Sequence, residues 1–362
     1  MKTDVKLSNQ VFKSEVITMT EIGVVMEPVP QCSAEMASLI EQMGFDMVLC
    51  PDTQNLSADP YGQLSLIANA TSTLKMGTGV THPVTREAAV TASAMASLQE
   101  ESSGRAICGI GRGDSSAAHI GKKQATTEEL RNYVIRVQSY LRGESIDVGT
   151  MKSPIRWIDP DIIKPVPMDI ACTGPKTIAM ACDVAERVTF AVGSATERMS
   201  WAMNTALDHI GQTGRKRDDF KIGAYVNLIC DPDEKKAIAM ARMLTGLVAH
   251  FTAMKKAPTD HLPDRQKEIT AKLQSDYDMK NHSSEKGEHL ELIDDEFIDW
   301  FSIAGPPQKC VDRLGELMEL GLDYVYLLGG SPIAEPRDAR LRAMVKQTEI
   351  FAQEVLPSFK KI

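Results

Sequence analysis

The sequence lacks the patterns that mark metal-binding and disulfide-stabilised proteins. Its seven cysteines are scattered, odd in number and without a C-x-x-C pair, and its seven histidines include no H-E-x-x-H motif. Disulfide frameworks use even numbers of cysteines, and zinc sites use closely spaced ligands. We therefore expect reduced, mostly buried thiols and no metal site.

Long apolar runs and blocks of basic residues are also missing. No apolar run approaches the roughly 20 residues that cross a bilayer, and the polar N-terminus has no apolar core of the kind found in secretion signals. The net charge is −9, which argues against nucleic acid as a partner. We expect a cytoplasmic protein whose partner is a small-molecule substrate, with no nucleic acid and no membrane.

Short apolar segments alternate with helical patterns along most of the 362 residues. Continuous apolar runs are typical of parallel strands that are covered on both faces. Eight such strands with intervening helices predict an α/β fold, a (β/α)8 TIM barrel. The alternative is an open doubly wound sheet, but its G-x-G-x-x-G fingerprint is absent after the first strand. The predicted strands are Ile22–Met26, Met47–Cys50, Met76–Val80, Ala106–Ile110, Ile170–Thr173, Val188–Val192, Ile222–Cys230 and Tyr324–Leu328.

One segment is longer than a minimal barrel needs. Residues 244–302, which we call the rim insertion, separate strand 7 from strand 8 and contain four histidines. Long insertions in compact domains usually cover a functional site or are disordered. Helical patterns at Asp264–Tyr277 and Asp294–Phe301 favour a partly ordered lid. We divide the chain into an N-terminal extension, residues 1–20, and a single barrel domain, residues 21–362, that carries the rim insertion.

Three predicted strands end in turns of small residues, which allow backbone N–H groups to approach an anion. GIGRGDSS follows strand 4, where Arg112 could add a charge-assisted contact. ACTGPK follows strand 5, where Thr173 and Gly174 precede a helix whose N-terminal amides favour phosphate. AVGSATER, with Gly193 and Ser194, follows strand 6. One such turn can serve only to reverse the chain, but three at one rim predict a phosphate-bearing cofactor.

Acidic and histidine side chains also follow the predicted strands. Glu27 ends strand 1 and Asp52 follows strand 2. A carboxylate in that position is costly unless it is paired or used, so each is either a loop or cap carboxylate or an acid/base group. His82 follows strand 3 and either contacts a ligand or bonds within its loop. His282, in the rim insertion, is either a substrate contact or a solvated side chain.

Longer stretches of the sequence carry a family resemblance. The most specific are GTGVTHPVTREAAVTASAMASL, SSGRAICGIGRGD and ADPYGQLSLIANATSTLKMGTGV. They resemble the bacterial-luciferase-like superfamily, and within it the branch typified by methylenetetrahydromethanopterin reductase. The resemblance continues in DIACTGPKTIAMACDVAERVTFAVG and FSIAGPPQKCVDRLGELMELGLDYVYLLGG. It covers most of the chain apart from residues 1–20 and the region of the rim insertion.

The resemblance implies a TIM-like barrel with a redox cofactor at the carboxyl ends of the strands. In this branch the cofactor is the deazaflavin coenzyme F420, and in related branches it is FMN. A non-prolyl cis peptide bond is implied between Gly79 and Val80, behind the cofactor ring. Thr53 stands where the reductases often carry His, and Arg112 where relatives often carry a smaller or imino residue. Cofactor contacts are expected at Asp52, Thr78, Gly79, Val80, Thr81, Gly111, Arg112, Gly113, Asp114, Thr173, Gly174, Gly193 and Ser194.

The activity implied by the resemblance is hydride transfer between F420 and a small organic substrate. Glu27 and Asp52 are the candidate catalytic residues, and His82 and His282 are candidate substrate contacts. The alternative is an FMN-dependent monooxygenase that uses reduced flavin and O2. A non-catalytic homologue is a third hypothesis, against which the intact glycines count, and a metal-dependent hydrolase is disfavoured by the lack of ligand clusters. Because relatives are commonly dimers, a homodimer is expected.

Overall fold

Eight parallel strands form a closed barrel in which each strand pairs with the next and β8 pairs with β1. This computed structural model describes residues 20–159, 161–252, 259, 262–282, 286–329 and 337–360, so the expected N-terminal extension lies almost entirely outside the described residues. The predicted TIM barrel is confirmed. The strands are β1 (Glu21–Val25), β2 (Met47–Cys50), β3 (Lys75–Thr78), β4 (Ala106–Ile110), β5 (Met168–Cys172), β6 (Arg187–Phe190), β7 (Lys221–Cys230) and β8 (Tyr324–Leu328).

Helices follow the strands, and several of them begin with a capping side-chain hydrogen bond. The Asp59 side chain accepts from the Gly62 N–H at the start of α2, and Thr126 and Glu129 form a capping box at the start of α5. The helices are α1 (Ser33–Gln42), α2 (Pro60–Ala70), α3 (Ala88–Glu101), α4 (Ser115–Ala118), α5 (Thr127–Leu141), α6 (Pro175–Val184), α7 (Thr196–Thr213), α8 (Glu234–Thr252), α9 (Asp264–Asp276), α10 (Asp295–Phe301), α11 (Pro307–Met318) and α12 (Arg337–Glu354).

The structure differs from the predicted strands at several strand ends and adds two short elements. β5 begins two residues earlier than predicted, and β6 ends two residues earlier. β3 ends at Thr78 instead of Val80, because the chain leaves the ladder there. A three-residue strand, Ile303–Gly305, pairs in parallel with the last residues of β7. A small antiparallel hairpin joins Ile146–Asp147 to Lys152–Ser153. The two additional features are too short to produce a hydrophobic pattern in the sequence.

The rim insertion packs around an apolar core of its own. Leu244 of α8, Leu273 of α9 and Phe297 of α10 belong to this core, which is separate from the main core between the barrel and its helices. α8 is continuous from Glu234, so it crosses the predicted start of the insertion at Leu244. In its described residues the rim insertion is therefore part of a group of packed helices that begins with the whole of α8.

Charged and hydroxyl groups occupy part of the barrel interior. Asp169 is fully buried and accepts hydrogen bonds from the Tyr326 hydroxyl at 2.9 Å and from the Thr189 hydroxyl. The buried Arg187 guanidinium lies 3.4 Å from the same carboxylate and stacks over the ring of Tyr324. The pairing satisfies charges that would be costly alone in the interior.

All seven cysteines are buried free thiols, as the sequence predicts. In the part of the chain that the structure describes, no helix is both long and apolar enough to cross a membrane.

Candidate active site

A cavity of about 380 Å³ lies at the carboxyl ends of the barrel strands. Its barrel side is built by residues that follow β1 to β6 and β8, and its other side by α8 and α12. Parallel strands place their carboxyl ends at one rim, so loops from different parts of the sequence converge there. The lining residues used below are Glu27, Thr53, Gly79, Val80, His82, Gly111, Arg112, Gly113, Asp114, Thr173, Thr177, Met243, Leu247, Phe251, His282, Leu341 and Met344.

The loop after β3 forms one wall of the cavity. The peptide bond between Gly79 and Val80 is cis, so this implication of the resemblance is confirmed. Val80 packs directly on Gly111, where an added Cβ would lie 2.9 Å from a Val80 methyl carbon. Thr78 donates to the Gly109 carbonyl and Thr81 donates to Asp52, and both threonines are fully buried. Gly79 and Val80 thus line the cavity, whereas the two threonines hold the wall from behind.

The two predicted catalytic carboxylates lie in different environments. Glu27 is half-buried and lines the cavity. Asp52 is buried behind the wall, where its Oδ2 atom accepts from Thr81 at 2.7 Å and from Arg86 Nε at 3.1 Å. Arg86 also pairs with Asp59. Asp52 therefore ties the loops after β2 and β3 together, and its neighbour Thr53 reaches the cavity instead.

The glycine-rich turn after β4 lies against His82. Gly113 has φ +76°, and an added Cβ would lie 2.7 Å from the His82 ring. Arg112 Nε donates to the Ala125 carbonyl at 2.6 Å, and the Ala125 N–H donates back to Arg112. These contacts fix the backbone of the turn at the cavity wall.

His82 carries a buried nitrogen that is not satisfied by the protein. Its Nδ1 has no hydrogen-bond partner within the described part of the chain, and its Nε2 lies 3.4 Å from the Thr85 hydroxyl. Burial lowers the pKa of His82, and Arg86 acts in the same direction while Asp52 opposes it. A neutral imidazole with an unsatisfied nitrogen beside a cavity is suited to meet a polar ligand atom.

The other two glycine-rich turns differ from each other. Thr173 and Thr177, at the start of α6, line the cavity, and Gly174 lies between them with open space around its Cα. The Ser194 N–H instead donates to the Phe301 carbonyl of α10 at 2.7 Å. The Phe301 ring fills the space where a Gly193 side chain would be. Gly193 and Ser194 therefore hold the rim insertion, and neither lies among the described cavity-lining residues.

Aromatic side chains of the rim insertion meet the β4 turn at the edge of the cavity. His250 Nε2 lies 3.1 Å from Asp114, and the His250 ring stacks on Tyr277 at 3.7 Å between centroids. The Tyr277 hydroxyl lies 2.8 Å from Nδ1 of His282, which lines the cavity. Sequence analysis singled out Asp114 and His282 but gave no role to His250 and Tyr277. The Asp114 partner of His250 lies 136 residues earlier, so the sequence gives no local signal for this contact.

The protonation of His282 makes the free energy of unfolding depend on pH. Burial lowers the pKa of His282 to about 4; the nearby His250, His119 and His289 act in the same direction, and Asp114 opposes them. Because the unfolded chain binds this proton more readily, the neutral imidazole stabilises the fold above about pH 6.5, and the contribution is lost as the pH falls through about 4.

We expect His282→Gln to reduce the acid sensitivity of folding. Between about pH 7.5 and pH 5 the wild-type protein should lose roughly 2 kcal/mol more unfolding free energy than the variant, measured by urea denaturation. His209→Gln is the matched control, because His209 lies at the surface beside Asp183. Equal slopes for wild type and His282→Gln would contradict the assignment.

Comparison with known proteins gives a consistent pattern. A family described as luciferase-like monooxygenase matches residues 14–324. The 5,10-methylenetetrahydromethanopterin reductase of Methanolobus tindarius is 29% identical over 324 residues, which cover 87% of this chain and 94% of the relative. The solved coenzyme F420 dependent tetrahydromethanopterin reductase from Methanopyrus kandleri superposes with a TM-score of 0.72 at 26% identity, over 94% of this chain and 99% of that one. An F420-dependent secondary alcohol dehydrogenase, solved with an F420-acetone adduct, gives 0.71 at 17% identity over the same shares.

Proposed function

Given that the chain belongs to the luciferase-like monooxygenase family, we propose that it is an F420-dependent oxidoreductase acting on a small organic substrate. The observation that carries the proposal is the cavity walled by Gly79, Val80, Gly111 and Gly113. The glycines let the loops after β3 and β4 pack closely on Val80 and His82, so that backbone forms much of this wall, as a flat ring system requires. A solved reductase named for coenzyme F420 covers 94% of this chain, and a relative whose name also includes coenzyme F420 covers 83% of it, which supports the deazaflavin over FMN.

The residues present fit a large, phosphate-bearing cofactor. His82 offers an unsatisfied buried nitrogen, and Val80 closes the cavity behind the glycines. Arg112 supplies a positive charge, and the hydroxyls of Thr173 and Thr177 supply hydrogen-bond donors at the start of α6. F420, when bound, supplies or accepts a hydride at C5 of its ring. The protein positions the two reactants and excludes water.

Glu27 is the proposed proton donor or acceptor, because its carboxylate borders the cavity. We assign Asp52 a positioning role, since both Thr81 and Arg86 engage the same carboxylate oxygen behind the wall. His82 and His282 are the proposed ligand contacts. A homodimer also stays a prediction, which analytical ultracentrifugation tests.

Titration of the purified protein with F420 and, separately, with FMN tests this function. We expect F420 to bind with a micromolar Kd and FMN to bind more weakly, as followed by fluorescence quenching and ring absorbance. Arg112→Ala should raise the Kd for F420 by about 10-fold or more, because a charge-assisted contact is lost.

The matched control for that titration is Arg142→Ala, which removes an exposed arginine paired with Glu144. Its Kd should equal that of the wild type. A preference for FMN would place the protein among the flavin monooxygenases and make oxygen uptake the next assay. Binding of neither cofactor would overturn the proposal.

A further inference from the structure

The cavity wall opposite the glycine-rich turns is apolar. On α8, Met243, Leu247 and Phe251 are spaced four residues apart and therefore share one face of the helix. Leu341 and Met344 of α12 continue the same surface. Among the described residues, those that line the cavity from α8 and α12 carry no charge.

Arg342, next to Leu341 on α12, pairs with Glu35, and the arginine next to Met243 on α8 is engaged elsewhere as well. Arg242, next to Met243, donates to the Ile293 carbonyl and pairs with Asp295 within the rim insertion. Arg112 lies on the glycine-rich side, where it is bonded to Ala125. A substrate carboxylate placed against α8 would lose its hydration without gaining a partner, which costs several kcal/mol.

One polar group of the rim insertion does face the cavity, and its orientation is held from behind. His282 lines the cavity, and its Nδ1 lies 2.8 Å from the Tyr277 hydroxyl. When the hydroxyl donates to Nδ1, the single proton of the neutral ring is on Nε2. Nε2–H is then the donor through which His282 would meet a ligand. The Tyr277 ring is itself stacked on His250, which limits its rotation.

We propose that the site selects an uncharged substrate with an apolar body and one carbonyl oxygen, which accepts a hydrogen bond from His282. The apolar body packs on Met243, Leu247 and Phe251, and Tyr277 is a positioning residue. The inference rests on the proposed function. In the reductive direction the carbonyl carbon receives the hydride and the C=O π bond breaks. The oxygen takes a proton from Glu27, the proposed proton donor, giving an alcohol while the reduced cofactor is oxidised.

The test compares three probes that differ in charge: benzylacetone, its para-carboxylate and the methyl ester of that acid. F420 binding is confirmed first by titration, and each probe is then titrated by calorimetry into the protein with and without F420. We expect the ketone and the ester to bind at least 10-fold more tightly than the carboxylate. A carboxylate that binds as tightly as the ester would overturn the inference while leaving the proposed function intact. Failure of F420 to bind would overturn the proposed function and with it the carbonyl reduction. The comparison of the three probes on the protein without cofactor would still decide whether the site selects uncharged ligands.

Introducing a positive charge into the apolar wall on α8 tests the inference more directly than the comparison of probes on the wild-type protein. Leu247→Lys should shift the ratio of ester to carboxylate affinity by at least 10-fold in favour of the carboxylate. Leu207→Lys on α7 makes the same change at an exposed leucine and should leave the ratio unchanged. Equal ratios in the two variants would count against an α8 binding surface.

Tyr277→Phe tests the positioning role, because it keeps the stacked ring and removes only the hydroxyl. We expect KM for benzylacetone to rise by about 3- to 10-fold with kcat little changed. The ring nitrogens of His282, identified by their loss in His282→Gln, should change from the Nε2-protonated tautomer to a mixture in nitrogen NMR spectra. An unchanged tautomer would refute the role of Tyr277.

Discussion

Replacing Asp169 with alanine is expected to lower the free energy of unfolding by about 3–5 kcal/mol, which is the usual result of removing one partner of a buried ion pair. The Arg187 side chain is only 6% exposed, and after the change its remaining carboxylate would be Glu21 at 3.5 Å. The hydroxyls of Tyr326 and Thr189 would lose their acceptor as well. Urea denaturation at neutral pH measures the loss.

Two comparisons separate charge burial from the loss of packing. Asp183→Ala removes a carboxylate that is 40% exposed and paired with His209, and should cost less than about 1 kcal/mol. Combining Asp169→Leu with Arg187→Met removes both buried charges and should recover much of the stability that Asp169→Ala loses. A cost below about 1 kcal/mol for Asp169→Ala would mean that the buried guanidinium finds other partners.

The second large effect concerns the cofactor. Gly113→Ala is expected to weaken F420 binding by roughly 100-fold, equivalent to about 3 kcal/mol. Alanine at φ +76° is strained, and its Cβ would lie 2.7 Å from the His82 ring. Because both the turn and His82 line the cavity, either adjustment moves a binding surface. Fluorescence titration of wild type and variant gives the ratio of the two Kd values.

Gly214→Ala is the matched control for Gly113→Ala. Gly214 has φ +75°, nearly the same backbone conformation, but no atom lies within 4 Å of an added Cβ. It should lower stability by about 1 kcal/mol, as strain in this conformation does, without changing the affinity for F420. Equal loss of affinity in the two variants would show that the contact with His82 is irrelevant.

The barrel could be predicted from the sequence because its strands are continuous apolar runs ended by small or polar residues. Searching for continuous apolar runs does not reveal the network of charged and hydroxyl groups inside the barrel. The predicted strands begin at Ile170 and Val188, just after Asp169 and Arg187, since charged residues are normally read as loop positions. Asp169 and Arg187 pair with each other across β5 and β6, and their tyrosine partners come from β8, more than 130 residues later. Burial of charge in a barrel therefore has no local pattern by which it can be predicted.

In the candidate site, too, features that depend on neighbouring residues could be predicted, whereas contacts between residues far apart in sequence could not. Turns after β4 and β5 were predicted to meet at one rim, and Arg112 and Thr173 do line one cavity. For Asp52 the physical argument allowed pairing or use, and the structure pairs it with Arg86. The expected role of Ser194 could not be judged from its own turn, because its N–H partner, Phe301, is more than 100 residues away.

The separate apolar core of the rim insertion has a consequence for protein engineering. Because Leu244 and Val248 of α8 pack with Leu273 of α9 and Phe297 of α10, these helices form one cassette. A chimaera with its junction at residue 244 would divide α8 between two parent proteins. Part of the core of the rim insertion would then pack against side chains from the other parent. Junctions in the short turn before Glu234 and after Phe301 keep the helical residues of this core together. The transferred segment then also includes the Phe301 carbonyl, which accepts a hydrogen bond from the Ser194 N–H of the barrel.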